Sequence, residues 1–249
     1  MKEATVTDSP LGRAAGGLGL VFAAVVFQYL AALTQVFLLT LVKDPRWALL
    51  PALTWTAAAL LELAGRWSCR KAGASLATKR WLRLSVVLTI LALAFNLAFM
   101  TVVLLLLIGT ISADQLNGRA VAVVAWAQLP VPLVGVGATA VFLTYLHGLA
   151  RAQEFNELAN EALAVLVLGA LVYVGIIPLI LIVLLLLQWI DFWLLNAVLR
   201  FLWPASLVAI VFLVLWPLIR YCNLLTSLRE VFQLKLADEA KRQKPTWKP

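Results

Sequence analysis

The chain has 249 residues, of which 63% are hydrophobic and 13% are charged, and its formal net charge is +8. Soluble globular domains are about 45–50% apolar and about 25% charged, and a water-soluble fold cannot enclose so much apolar surface while still covering itself with polar groups. The composition therefore excludes an ordinary soluble domain and predicts an integral membrane protein. The basic residues lie between apolar runs and not along one face, which argues against nucleic-acid binding.

Six apolar segments are long enough to cross the hydrocarbon core, which is roughly 30 Å thick, as helices. Helices are predicted because a helix satisfies its own backbone hydrogen bonds in lipid. The predicted spans are residues 17–41, 47–65, 84–111, 120–147, 162–189 and 203–222. We therefore predict an all-α, polytopic transmembrane bundle of six spanning helices arranged as three hairpins.

Three regions follow from these spans. Residues 1–16 form a short polar segment, and residues 17–225 form the six-helix transmembrane domain. The first apolar run is too long for the core of a signal peptide, so it is expected to remain as a span. Residues 226–249 form a basic tail, which begins with an amphipathic pattern and is expected to end in disorder.

Three connecting segments carry further predictions. Residues 66–83 contain six basic residues and no acid, and are interpreted as a cytoplasmic loop. Residues 150–161 have the pattern of an amphipathic helix. Residues 189–202 are too polar to span but rich in Trp, Phe and Leu, which is typical of a helix lying in the membrane interface.

The distribution of basic residues predicts the orientation. Sixteen of the 20 Lys and Arg residues fall on the side that holds both termini. Because basic residues concentrate on the cytoplasmic side of membrane proteins, both termini are expected in the cytoplasm. The absence of a recognised sorting signal favours a bacterial inner membrane.

The predicted spans contain few ionisable groups. Glu62 lies four residues before Arg66, so the two side chains can pair on one face of a helix, close to the headgroups. Neutral polar residues are the candidates for a polar path or, as the preferred interpretation, for contacts between helices. They are Gln28, Gln35, Asn96 and Gln128.

The fourth predicted span combines helix-breaking and small residues. Pro130 and Pro132 each remove a backbone donor, so a kink near Gln128 is expected. Gly135 and Gly137 are expected to let another helix approach closely. These four residues are a candidate hinge, and a transport site and ordinary packing explain them equally well.

A basic cluster is predicted to face anionic lipid or a protein partner on the cytoplasmic side. It consists of Arg66, Arg70, Lys71, Lys79, Arg80 and Arg83. Trp67 and Trp81 bracket this segment as expected interfacial anchors.

No motif for catalysis, metal or cofactor binding is evident, so no catalytic residue and no cofactor is predicted. His147 is the single histidine, and a structural role at a helix end is the preferred interpretation. Cys69 and Cys222 are expected to be free thiols.

These observations predict a non-enzymatic membrane component. The leading interpretation is a scaffold or accessory subunit that binds lipids, including anionic lipids, and other membrane-protein subunits or a second copy of itself. The first alternative is a transporter or channel for a small neutral or lipid-like solute. A weaker alternative is a lipid-modifying enzyme that uses Glu62, His147 or Asp191.

Overall fold

The computed structural model describes residues 9–41, 49–72, 75–107, 130–176, 178–179 and 193–243. Within these ranges every regular element is helical, and six helices are present. They are α1 (Pro10–Leu41), α2 (Leu49–Ser68), α3 (Leu76–Leu107), α4 (Pro130–Ala152), α5 (Asn156–Ala170) and α6 (Trp193–Gln243). A short 3₁₀ turn (Cys69–Lys71) follows α2, and a π-helical turn (Leu171–Ile176) extends α5.

Three of the described segments are long and apolar enough to cross a membrane. They are Pro10–Ala31, Thr78–Ala98 and Asn156–Ile176. Only a minority of each segment is buried inside the protein, so much of their apolar surface faces outward. These helices indicate membrane integration, because such a surface is stable against hydrocarbon and not against water.

The helices pack in chain order. Each helix contacts the next one along the chain, and α6 returns to contact α1. Neighbouring helices α2 and α3 run antiparallel, since Arg66 meets Ser85 at one level and Thr56 meets Asn96 at another. The core between the helices is built from Leu, Val, Ala and aromatic side chains, with Phe142, Tyr145 and Phe232 among the largest that are fully buried.

Close packing of α1 against α2 depends on two glycines that face each other. A Cβ on Gly65 would lie 2.6 Å from the carbonyl oxygen of Gly17, and a Cβ on Gly17 would lie 2.5 Å from the carbonyl oxygen of Gly65. Neither backbone can move away without separating the helices. Small residues at this crossing therefore set the distance between α1 and α2.

Two glycines of α4, Gly135 and Gly137, were predicted to permit close approach of another helix. Outside its own stretch of helix, a Cβ placed on either would meet no described atom within 4 Å. In α4 it is Gly148 that lies against a neighbour, since a Cβ there would be 2.9 Å from Thr78 of α3.

The connection between α2 and α3 is shorter than predicted. The sequence indicated a loop over residues 66–83, but α2 continues to Ser68 and α3 begins at Leu76. The basic residues of this stretch therefore lie mainly on the ends of two helices. A run of polar residues does not by itself end a helix, because Lys and Arg are good helix formers.

Residues 150–161 do not form a separate amphipathic helix. Helix α4 ends at Ala152, and α5 begins at Asn156 after a tight turn. In that turn Glu154 adopts a φ of 66°. The apolar side chains expected on one side of that helix pack in or against the core, as Ala159 and Leu158 do.

The carboxyl-terminal region departs most from the prediction. Residues 193–202 belong to the same helix as the predicted sixth span, and that helix continues through the predicted boundary at residue 226 to Gln243. At 51 residues, α6 is about 76 Å long. Its later turns bury Leu228, Phe232 and Leu236, so this part of the predicted tail belongs to the packed fold.

A buried arginine cluster as the candidate functional site

The most unusual feature of the described helices is a fully buried arginine. Arg66 lies in the last turn of α2 with no exposed surface, and Glu62, one turn earlier, is 7% exposed. Arg66 Nη2 donates a hydrogen bond to Glu62 Oε1. The predicted pair is therefore present, but it is enclosed by neighbouring helices, so Arg66 is not part of a lipid-facing surface.

The guanidinium of Arg66 also joins α2 to two other helices. Its Nη1 group donates to the Ser85 hydroxyl at 2.7 Å and to the Thr89 hydroxyl at 2.6 Å, both on α3. The same group lies 3.2 Å from the Ala138 carbonyl oxygen of α4. The ring of Phe142, also on α4, lies 5.0 Å from the guanidinium carbon, which is a favourable cation–π distance.

Glu62 carries the network to α1. Its second carboxylate oxygen, Oε2, accepts a 3.0 Å hydrogen bond from Gln28 Nε2. Both oxygens of this carboxylate thus have a donor. The buried pair is electrically neutral, and its main hydrogen-bonding groups are satisfied, as a low-dielectric interior requires. The cluster fixes the relative positions of α1, α2, α3 and α4.

Two buried polar atoms beside this network have no partner within the described part of the chain. They are Arg66 Nε and the Tyr221 hydroxyl. Tyr221 lies on α6 and is 5% exposed.

A second polar contact lies further along α2 and α3. Asn96 Nδ2 donates to Thr56 Oγ1 at 3.0 Å, and Thr56 Oγ1 donates to the sulfur of Met100 at 3.1 Å. Gln28 and Asn96 therefore both act as contacts between helices. Gln35 lies in α1, and Gln128 lies outside the described residues.

The candidate hinge residues lie at the start of α4. Pro130 is the first residue of this helix and Pro132 follows in its first turn. Thr139 donates its hydroxyl to the Gly135 carbonyl at 3.0 Å, which is a bond within one helix.

The remaining members of the predicted basic cluster differ from Arg66. Arg70, Arg80 and Arg83 are exposed, and Lys79 is partly buried. Arg70 lies over the indole ring of Trp67, with 4.9 Å between the guanidinium carbon and the ring centroid. Lys71 ends the 3₁₀ turn.

His147 and the thiols have structural surroundings. His147 Nδ1 lies 2.8 Å from the Ala159 carbonyl oxygen, which can only accept, so this nitrogen carries the proton and links α4 to α5. Cys69 is buried in the turn after α2, and burial raises the pKa of its thiol to about 12. No three His, Cys, Asp or Glu side chains among the described residues are grouped as metal ligands.

Sequence reasoning missed the partners of Arg66. Ser85 and Thr89 are four residues apart in an apolar run, so they share one face of α3. This polar pair was the signal in the sequence that could have indicated partners for Arg66. The residues of α2 do not indicate which other helices supply the acceptors, since the acceptor residues lie 19 to 72 positions away along the chain.

Comparisons with known proteins give no assignment: no family model matches the chain, and neither curated sequences nor solved structures give a match.

Proposed function

We propose that this chain is a non-enzymatic, multi-pass membrane protein that acts as a scaffold or accessory subunit and binds other membrane proteins and lipids. In this proposal six helices span the membrane as three hairpins. Both termini are cytoplasmic, and a bacterial inner membrane is the favoured location.

The observation that carries this proposal is the buried hydrogen-bond network around Arg66. Each Glu62 oxygen accepts a hydrogen bond, and the Arg66 terminal nitrogens donate within the bundle. Polar groups that hydrogen-bond to one another in this way hold helices together. A transport path or an active site instead has polar groups that a ligand can reach. The outward surface is in contrast strongly apolar, with Phe212, Trp216 and Ile219 exposed on α6.

Purification in a mild detergent followed by reconstitution into nanodiscs tests the proposal. Mass spectrometry would identify and quantify any protein that travels with the chain. We expect a second membrane protein, or a second copy of this chain, at a fixed ratio that survives a second affinity step. A tagged membrane protein of similar hydropathy serves as the control. A monodisperse monomer with a bound small solute would contradict the proposal.

A second candidate is a transporter or channel for a small neutral or lipid-like solute. An open groove of about 560 Å³ along α5, beside Arg220 of α6, favours it. The groove is lined by Asn160, Leu163, Ala164, Val167, Leu168, Leu171 and Arg220. Apolar walls with polar groups at one end suit an amphipathic molecule.

Filling this groove separates the two candidates. Ala164→Trp places an indole within the groove, while Ala94→Trp places the same group on the exposed surface of α3. In vesicles containing a fluorescent phospholipid analogue, a transporter would lose flux in the first variant and keep it in the second. Equal behaviour of the two variants would remove the groove as a transport route.

A further inference from the structure

The outward face of α3 changes from cationic to apolar along its length. Leu76, Arg80 and Arg83 lie at the beginning of the helix, and Val87 and Ile90 follow on the same side. Their spacing of three to four residues places them in one stripe. All five are exposed, with Val87 58% and Ile90 49% exposed. The stripe therefore has a cationic end and an apolar continuation.

The two arginines of this stripe have no acidic partner in the described part of the chain. The ion pairs found there join Arg66 to Glu62 and Arg220 to Glu161. Arg80 and Arg83 are three residues apart and exposed, so both guanidinium groups can reach one anion. A guanidinium donates two parallel hydrogen bonds to phosphate oxygens, which makes phosphate a fitting ligand.

Tryptophans lie beside the cationic end of the stripe. Trp81 is 44% exposed and Trp67, at the end of α2, is 57% exposed. Because Arg66 of α2 bonds to Ser85 of the antiparallel α3, Trp67 lies at about the level of Leu84, one residue after Arg83. Exposed Trp residues favour the headgroup level of a bilayer. In a bilayer this preference would place Arg80 and Arg83 near the headgroup level.

We propose that the first turns of α3, together with the end of α2, form a binding site for an anionic phospholipid. Arg80 and Arg83 bind the phosphate, and an acyl chain lies along Val87 and Ile90 of the stripe and the exposed Leu84 and Leu91 beside them. This order of charge and apolar surface matches one phospholipid molecule. The proposal deepens the lipid-binding part of the proposed function and rests on α3 being a membrane span.

Charge complementarity favours a lipid over an acidic protein segment. The arginines continue directly into the exposed apolar surface of a helix that is long enough to span the membrane, Thr78–Ala98. A ligand that covers both parts carries a negative charge joined to a hydrocarbon chain. A phospholipid has that structure, whereas an acidic peptide would leave the apolar part to other molecules.

Lipid binding to the full chain in detergent tests the proposal. The protein is titrated with phosphatidylglycerol or with phosphatidylcholine of the same acyl chains, and bound lipid is counted by native mass spectrometry. Wild type should bind phosphatidylglycerol at least about tenfold more tightly than phosphatidylcholine, since each interfacial cation favours anionic lipid. Equal binding of the two lipids would overturn the proposal without requiring any variant.

Charge-reversal variants locate the site. Arg80→Glu/Arg83→Glu should remove the preference for phosphatidylglycerol. Lys241→Glu/Arg242→Glu makes the same change in net charge on exposed residues at the far end of α6. This control variant should keep the preference for phosphatidylglycerol. Equal loss in both double variants would mean general charge attraction and would contradict a site on α3.

The outcomes also distinguish this proposal from the accessory function. A preserved lipid preference without any stoichiometric protein partner would contradict only the accessory function. If the α3 variant instead lost a copurifying protein and kept its lipid preference, the arginines would belong to a protein interface, and the lipid site would be wrong.

Discussion

Arg66 and Glu62 lie one turn apart on α2, and the ion pair between them is buried among α1, α3 and α4. Each residue alone would leave a charge in a low-dielectric interior. Together they form a neutral unit whose outer atoms bond to Gln28, Ser85 and Thr89. The pair thus converts two unfavourable groups into a contact that holds four helices in register.

Removal of one member of this pair should be strongly destabilising. We expect Arg66→Met to lower the free energy of unfolding by about 3–5 kcal/mol, since Glu62 would remain buried without its counter-ion. Thermal unfolding in detergent, followed by size-exclusion chromatography, measures this change. Glu62→Gln/Arg66→Met should recover part of the loss. Arg80→Met, at an exposed position, is the control and should leave stability unchanged.

The glycine contact between α1 and α2 gives a second prediction. Gly65→Ala places a methyl group 2.6 Å from the Gly17 carbonyl oxygen and should destabilise the fold by about 1–3 kcal/mol. Gly16→Ala is the matched control because a Cβ there meets no described atom within 4 Å. It should be neutral or slightly stabilising, since Ala is the better helix former. Equal stability of the two variants would contradict the close crossing.

The Asn96–Thr56 hydrogen bond tests whether intramembrane polar groups are contacts or part of a path. Asn96→Leu should lower stability by about 0.6–2 kcal/mol, with no effect on any transported solute. A double-mutant cycle with Thr56→Val isolates their coupling, which we expect to be near 0.6 kcal/mol. Loss of flux with unchanged stability would instead support a polar path.

Thiol reactivity provides a prediction with a defined pH dependence. The Cys69 thiol is buried, and its pKa is raised to about 12, so almost no reactive thiolate is present near neutral pH. In a Cys222→Ala variant we expect no maleimide labelling of the folded protein at pH 7.5 and full labelling after denaturation. Rapid labelling of the folded variant would show that Cys69 is accessible.

The raised pKa of Cys69 also predicts a loss of stability at high pH. The folded-state pKa of Cys69 lies above the ordinary value of 9.0. Its contribution to stability is therefore complete below about pH 9 and is lost as the pH rises towards 12. Cys69→Ala should show a smaller decrease in unfolding temperature across that window than wild type does.

The sequence predicted the helical class because a long apolar run without charge can satisfy its own backbone hydrogen bonds in a membrane as a helix. It also predicted the Glu62–Arg66 pair, which depends only on a spacing of four residues. The burial of that pair was not predictable, because Ser85, Thr89 and Ala138 come from distant positions of the chain. Tertiary partners decide whether a charge near a helix end is buried or exposed.

The carboxyl-terminal part of α6 shows the same limit. Its pattern of Leu228, Phe232 and Leu236 at intervals of four indicates an amphipathic helix. The pattern does not indicate which residues pack against the apolar face. In the structure the turn between α4 and α5 covers part of it, since Phe155 packs beside Phe232 with 6.2 Å between ring centroids. Lys235 also donates to Gln153 at 2.8 Å.

Membrane integration with both termini in the cytoplasm is the claim on which the proposed function depends. The most direct measurement places a protease-cleavable tag at each end and compares intact spheroplasts with inside-out vesicles. We expect both tags to be cleaved in inside-out vesicles and protected in spheroplasts, while the chain stays in the membrane after alkaline carbonate extraction. Cleavage of either tag in spheroplasts, or release of the chain by carbonate, would contradict the account.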